Sequence, residues 1–419
     1  MIKLSGAGQT VPERPPSSTL PQPRRTAPHR GLATLPRIPF SDWYVAPSAR
    51  TAAARALATG WVVNGPEVCS FESEFARHVR ASHAVAVSSG TTALELALEV
   101  LGLPPGSRVL VSTLSSFAVA QAIVRAGLRP VLVDVSTLTG MPSVDTISEA
   151  ATHAKRDGQP PSALVIGHWA GDPTDVAALA DAAELPPAMV VEDAAQGLGA
   201  ILGSRTVGGA GTACFSFYTT TNLPVGEGGM VTTDDPERAE RLRAARCRAS
   251  LPRPRRGGHN NVVPGSGIRD GGLDASMTDL RAAIGRGQLA HLAHWQNRRE
   301  RFAALYDAQL ADIEGVVLPH RPSAEEGRHA WHHYPLRVVH PSVHRDAVTR
   351  SLTAARVRTD DRLTPLHQLP YARDLCDAPD SGLPGAEQFV TQLLSLPIYP
   401  RLPESAAIRV AEALTVTLS

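Results

Sequence analysis

The sequence predicts an α/β fold, with a mostly parallel sheet in a large domain and a smaller α+β domain behind it. Three observations carry this. Short β-branched runs, Val109 to Val111, Val131 to Val135, Leu164 to Ile166 and Met189 to Val191, recur through the first half. Ala/Leu-rich stretches of helical period, such as Thr91 to Leu101 and Val176 to Ala183, separate them. The length of 419 residues at 43% hydrophobic content supplies one large core and a smaller one. Strand and helix in alternation make β-α-β units, and such sheets bind ligands at the carboxyl ends of their strands.

Residues 1–37 are rich in Pro, Ser, Thr and Arg, include Pro15-Pro16 and Arg24-Arg25, and show no hydrophobic period. That composition reads as a disordered tail. The large domain is expected over 38–255, and the junction plus the small domain over 256–419. Residues 250–272 break the α/β pattern with Arg253, Arg255, Arg256 and repeated Gly and Pro, the signature of a loop or domain junction. The Arg cluster reads as a solvated loop or as a clamp for a phosphate. Asp279 to His294 follows as a helix, and short strands and helices alternate to the end.

Forty-one basic residues against 40 acidic ones leave a net charge of +1, so no global field draws the chain to nucleic acid or an anionic membrane. No apolar run approaches the ~20 residues that cross a bilayer, and no secretion signal opens the sequence. Cys69, Cys214, Cys247 and Cys376 lie far apart, against both a disulfide scaffold and a close-spaced zinc site. A cytoplasmic protein that handles small molecules is expected. His291 with His294 and His332 with His333 are the two histidine clusters. The first lacks a carboxylate partner for a metal, and the second, placed on a strand, points to opposite faces.

Several motifs bear chemistry. Ser88-Ser89-Gly90-Thr91-Thr92 opens a helix, where free N–H groups and hydroxyls make an anion site, although the same residues serve equally as an N-cap. Glu192-Asp193-Ala194-Ala195-Gln196 ends an apolar strand. Cys214-Phe215-Ser216-Phe217-Tyr218-Thr219-Thr220-Thr221-Asn222-Leu223 is closed by Gly226-Glu227-Gly228-Gly229-Met230. With Gly60-Trp61, Gly65-Pro66, His168-Trp169-Ala170-Gly171, Trp331-His332-His333-Tyr334 and the segment Leu394 to Pro400, these resemble the sugar aminotransferases of the DegT/DnrJ/StrS type from Ile38 to the C-terminus.

The resemblance implies a fold-type-I large domain, an α/β/α sandwich, and a homodimer whose active site is shared between subunits. It also implies pyridoxal phosphate (PLP) chemistry. Ser89, Gly90, Thr91 and Ser216 then match the phosphate contacts, Asp193 the partner of the pyridinium nitrogen, and Gln196 the neighbour of the phenolic oxygen. Asn222 follows the Schiff-base position.

The departures from the family pattern gather on the cofactor. Thr221 stands where the family carries its imine-forming lysine, and the chain has only Lys3 and Lys155. Ser116 replaces the aromatic ring that stacks on the pyridine, unless Phe117 takes that place. Asp274 replaces an Asn that reaches the phosphate, and a carboxylate there repels it. A threonine hydroxyl neither forms an imine nor carries a proton near neutral pH.

The expectation is therefore an enzyme of secondary-metabolite or nucleotide-sugar biosynthesis that no longer transaminates conventionally and works in the old cleft without covalent cofactor. Asp193, Tyr218, Gln196 and Thr221 are its candidate catalytic residues. A silent homologue that partners or regulates an active enzyme is the alternative. Non-covalent PLP or pyridoxamine phosphate (PMP), with lysine-free sugar chemistry, is the third reading.

Overall fold

A computed structural model describes residues 36–156, 158–247, 273–323, 325–360 and 363–419. The N-terminal tail and the Arg253–Arg256 cluster lie outside the described residues. Residues 36–419 form one compact unit.

Two helices lead in, α1 (Pro47–Thr59) and α2 (Pro66–Val79). There follow β1 (His83–Val87), α3 (Gly90–Glu99), β2 (Arg108–Ser112), α4 (Phe117–Arg125), β3 (Arg129–Val133), α5 (Val144–Arg156), β4 (Ala163–Gly167), α6 (Val176–Ala182) and β5 (Val190–Asp193). A hairpin of β6 (Ile201–Leu202) and β7 (Arg205–Thr206) precedes β8 (Thr212–Ser216), β9 (Gly229–Thr233) and α7 (Pro236–Arg246). The second part holds α8 (Asp279–Leu289), α9 (Leu292–Leu310), β10 (Val316–Val317), β11 (Gly327–Arg328), β12 (Tyr334–Val338), α10 (Arg345–Ala354), α11 (Pro370–Arg373), α12 (Pro384–Gln392), β13 (Leu393–Leu396) and α13 (Ser405–Leu418).

The main sheet has seven strands in the order β1-β9-β8-β5-β4-β2-β3. Only β9 runs against the others. Its inner strands are apolar on both faces, as a parallel sheet covered by helices on both sides requires. Val109 and Val111 pack with Leu96 and Leu98 of α3 and Ile123 of α4, while Leu110 between them packs with Ile147 of α5 and Leu179 of α6. A third cluster joins Phe71 and Phe75 of α2 to Phe215, Phe217 and Met230. A separate core forms around the antiparallel sheet β10-β12-β13, where Tyr306, Trp331, Tyr334 and Leu396 meet Leu352 of α10 and Leu414 of α13.

Two expectations change. The helix from Asp279 to His294 is two helices, α8 and α9, with a corner at Ala290 and His291. The His291 ring stacks on Trp295 and its Nε2 meets Ser48 Oγ at 2.9 Å, which pins the corner against α1. His332 and His333 precede β12 rather than lying on a strand. Trp331 takes a left-handed φ of 46°, and both histidine N–H groups donate to the Ala170 carbonyl.

Candidate functional site

The parallel strands end together. Gly167 at the end of β4 lies beside Asp193 at the end of β5, and Asp193 lies beside Cys214 of β8. Here a cleft of about 670 Å³, open to solvent, is bounded by Ser115, Ser116, His168, Asp193 and Gln196 on its polar side and by Leu114, Met141 and Trp169 on its apolar side. It sits where a doubly wound sheet places ligands.

Asp193 Oδ1 accepts the Ala195 N–H at 3.1 Å. Burial raises its carboxyl above the usual range, while that N–H and nearby His168 pull the other way. Gln196 Oε1 accepts the Ala170 N–H at 2.6 Å, and this helps hold Ala170 at a φ of 57°. Directly behind Asp193, on the other side of the strand, Glu192 is 2% exposed and receives both Arg205 and His168 Nε2, the latter at 3.0 Å. His168 Nδ1 accepts the Thr174 N–H at 3.1 Å. The ring proton of neutral His168 is therefore on Nε2, and the imidazole is fixed at both ends. Sequence reading missed this relay, because Glu192 is contiguous with Asp193 but Arg205 and His168 arrive from elsewhere in the chain.

The remaining candidates form a second group. Ser89 caps α3, its Oγ accepting the Thr92 N–H at 3.1 Å, and the first-turn N–H groups of Gly90 and Thr91 have no acceptor within the helix itself. Gly90 packs directly on Ser216: a Cβ there would come within 2.7 Å of the Ser216 Cβ. Ser216 Oγ in turn accepts the Tyr218 N–H at 3.3 Å. Thr221 is 8% exposed, and its hydroxyl donates to the Tyr218 carbonyl at 2.8 Å, closing the turn that follows β8. Buried Asn222 donates through Nδ2 to the carbonyls of Leu198 and Ala330. Tyr218 is 48% exposed, and Asp274 is exposed in a backbone bridge to Cys247.

So Asp193, Gln196 and Ser116 line the cleft, and Ser89, Gly90, Thr91 and Ser216 cluster with Tyr218 and Thr221 beside the end of β8, outside its lining. Phe117 is not among the residues that line the cleft and packs edge-on to Tyr371 with centroids 5.3 Å apart. Lys155 lies on α5, paired with Glu184 at 2.6 Å. Among the described residues no cluster of His, Cys, Asp and Glu has metal-site geometry.

A model of the DegT/DnrJ/EryC1/StrS aminotransferase family matches residues 46–415. The spore coat polysaccharide biosynthesis protein SpsC of Bacillus subtilis is 35% identical over 85% of this chain and 91% of its own length. A dTDP-3-amino-3,4,6-trideoxy-alpha-D-glucose transaminase of Streptomyces venezuelae is 37% identical over 91% of this chain and 96% of its own. The crystal structure of S. venezuelae DesV in complex with a ketimine intermediate superposes with a TM-score of 0.80 at 34% identity, covering 91% of this chain and 98% of that one. The mixed, mostly parallel sheet is that of the fold-type-I aminotransferases.

The residues fit a pyridoxal-type phosphate only in part. Asp193 offers a carboxylate at the cleft floor, and the first turn of α3 offers N–H groups for a phosphate. At Thr221, where the resemblance implies the imine-forming lysine, the side chain offers a hydroxyl in place of an amine, and that hydroxyl is tied to its own turn.

Proposed function

Since this chain belongs to the DegT/DnrJ/EryC1/StrS aminotransferase family, we propose that it is an enzyme of small-molecule biosynthesis that uses the family cleft without a covalent pyridoxal group. The observation that carries this reading is Thr221: its hydroxyl is spent on the Tyr218 carbonyl, while at the ends of β4 and β5 a solvent-open cleft still carries Ser115, Ser116, Asp193 and Gln196. A silent partner needs no such cleft.

The substrate class that suits the site is a nucleotide-linked keto sugar. Curated relatives act on dTDP-linked sugars by their names, and the cleft combines hydroxyl, carboxyl and amide groups with the Trp169 indole, a set suited to a polyhydroxylated ring. Asp193 is the acid/base group. Its raised carboxyl lies nearer to the working pH than an ordinary aspartate, so it exchanges a proton with a carbon next to the sugar ketone. Gln196, through the Nε2 that the Ala170 contact leaves free, and Ser116 orient the sugar hydroxyls.

A bound PLP or PMP would supply an electron sink at the Asp193 end of the cleft, held without an imine. We read the chain as a homodimer, as the resemblance implies. Among the described residues no helix is long and apolar enough to cross a membrane.

Incubation with dTDP-linked 4-keto hexoses in D₂O, with no cofactor added, tests the activity by NMR. Deuterium entering beside the ketone, and lost in Asp193→Asn, supports it. No exchange with any keto sugar favours the silent-partner reading instead.

A further inference from the structure

Across Trp169 from the cleft lies a second, small cavity that opens to solvent, and the indole is a wall of both. Asp172, His320, His329 and Arg337 meet there, with Leu318 and Phe389 as apolar walls. None of these residues serves the acid/base site described above.

His329 is 2% exposed. Its Nδ1 accepts the Trp331 N–H at 2.7 Å, and its face stacks on the Trp331 ring at 3.9 Å. An Nδ1 that accepts puts the ring proton on Nε2. The Nε2 edge is what remains to line the cavity, and it donates to nothing among the described residues. Burial pushes this imidazole down to about 3, so it stays a neutral donor across the working pH range.

Arg337 supplies the charge. Its Nη1 donates to Gln392 Oε1 at 3.0 Å, and no carboxylate pairs with it among the described residues. Asp172, the one carboxylate of the cavity wall, faces His320 Nδ1 at 3.2 Å, which leaves Nε2 of that half-exposed ring free at the mouth.

We propose that this cavity is a second binding site, for a small oxyanion of the carboxylate or phosphate type, held by His329 Nε2–H and the Arg337 guanidinium. An arginine fork beside a fixed neutral N–H matches the oxygens of either group, and apolar walls strengthen such bonds by keeping water out. His320 guards the mouth, and in its imidazolium form it adds a third donor. Because Trp169 bounds both cavities, an oxyanion seated here also fixes the wall that the cleft presents to its own ligand.

Calorimetric titration of the full chain with inorganic phosphate and with acetate, in a buffer free of competing anions, tests the site. The proposal expects saturable binding of at least one anion, weakened about tenfold or more in Arg337→Gln and in His329→Phe. Which anion binds tells phosphate from carboxylate. His329→Phe keeps a ring against Trp331, and its melting curve separates lost binding from lost folding. Absence of saturable binding by both anions overturns the proposal. So does binding that Arg337→Gln leaves intact or that Ser216→Ala abolishes, which would place the anion at the start of α3.

Discussion

Thr221 donates its hydroxyl to the carbonyl of Tyr218, 2.8 Å away, and so ties the turn after β8 to itself. The residue is thus a structural lock in this chain, with a local partner that also accepts the Thr221 backbone N–H at 3.0 Å.

Removing the lock has a defined effect. Thr221→Ala is expected to destabilise the protein by about 1 kcal/mol, the net worth of one hydrogen bond, whereas Thr221→Ser keeps the bond and most of the stability. Urea denaturation of the two variants beside the wild type measures the difference.

Gly90 and Ser216 make a steric pair. Gly90→Ala forces a methyl to within 2.7 Å of the Ser216 Cβ, which is expected to cost about 1–3 kcal/mol as overpacking does. Adding Ser216→Gly removes the closest contact and leaves the Ser216 Cα 3.2 Å from the new methyl, so the double variant should be more stable than the sum of the two single effects. Additive losses would show that the two residues do not meet.

Glu192 should be sensitive to loss of charge. It is buried between Arg205 and His168, and Glu192→Gln leaves the arginine without its counter-ion while putting an amide in a site shaped for two donors. Breaking a buried pair in this way costs about 3 kcal/mol. A urea midpoint within error of wild type would contradict the relay.

The buried ionisable groups predict opposing pH effects. His333 is pushed down to about 4 and His329 to about 3 by burial, from an ordinary 6.5. The unfolded chain binds protons at these rings that the folded chain refuses, so their contribution is present above about 6.5 and is lost as the pH falls toward 4. Asp172 acts the other way. Burial raises its carboxyl from 3.8 to about 6, so its contribution is present below 3.8 and is lost as the pH rises through 6. Thermal melts between pH 4 and 7 should show His333→Gln less sensitive to acid than wild type. Asp172→Asn should be more sensitive, because it removes the opposing group.

The sheet was legible in the sequence because its strands are buried on both faces. Val109 to Val111 and Leu164 to Ile166 carry β-branched or apolar residues at every position, and they lie within β2 and β4. Asp193 and Gln196 were legible as strand-end residues for the same reason. What stayed hidden depends on contacts across space. Nothing near Gly90 signals that Ser216 will sit on it, and nothing near Glu192 signals Arg205. The pattern at His332 and His333 reads as strand, yet the left-handed Trp331 before them and the Ala170 carbonyl in front of them decide the local path. The cavity behind Trp169 combines residues from distant segments, Asp172, His329 and Arg337 among them, so no single motif marks it.

The most direct measurement is an absorbance titration of the purified wild type and Thr221→Lys with PLP, followed by borohydride reduction. The account predicts that only the lysine variant gains a visible band that reduction fixes covalently, at one group per chain. A wild-type protein that acquires a reducible PLP adduct would contradict it, since an amine elsewhere in the chain would then be doing the work that Thr221 is held here not to do.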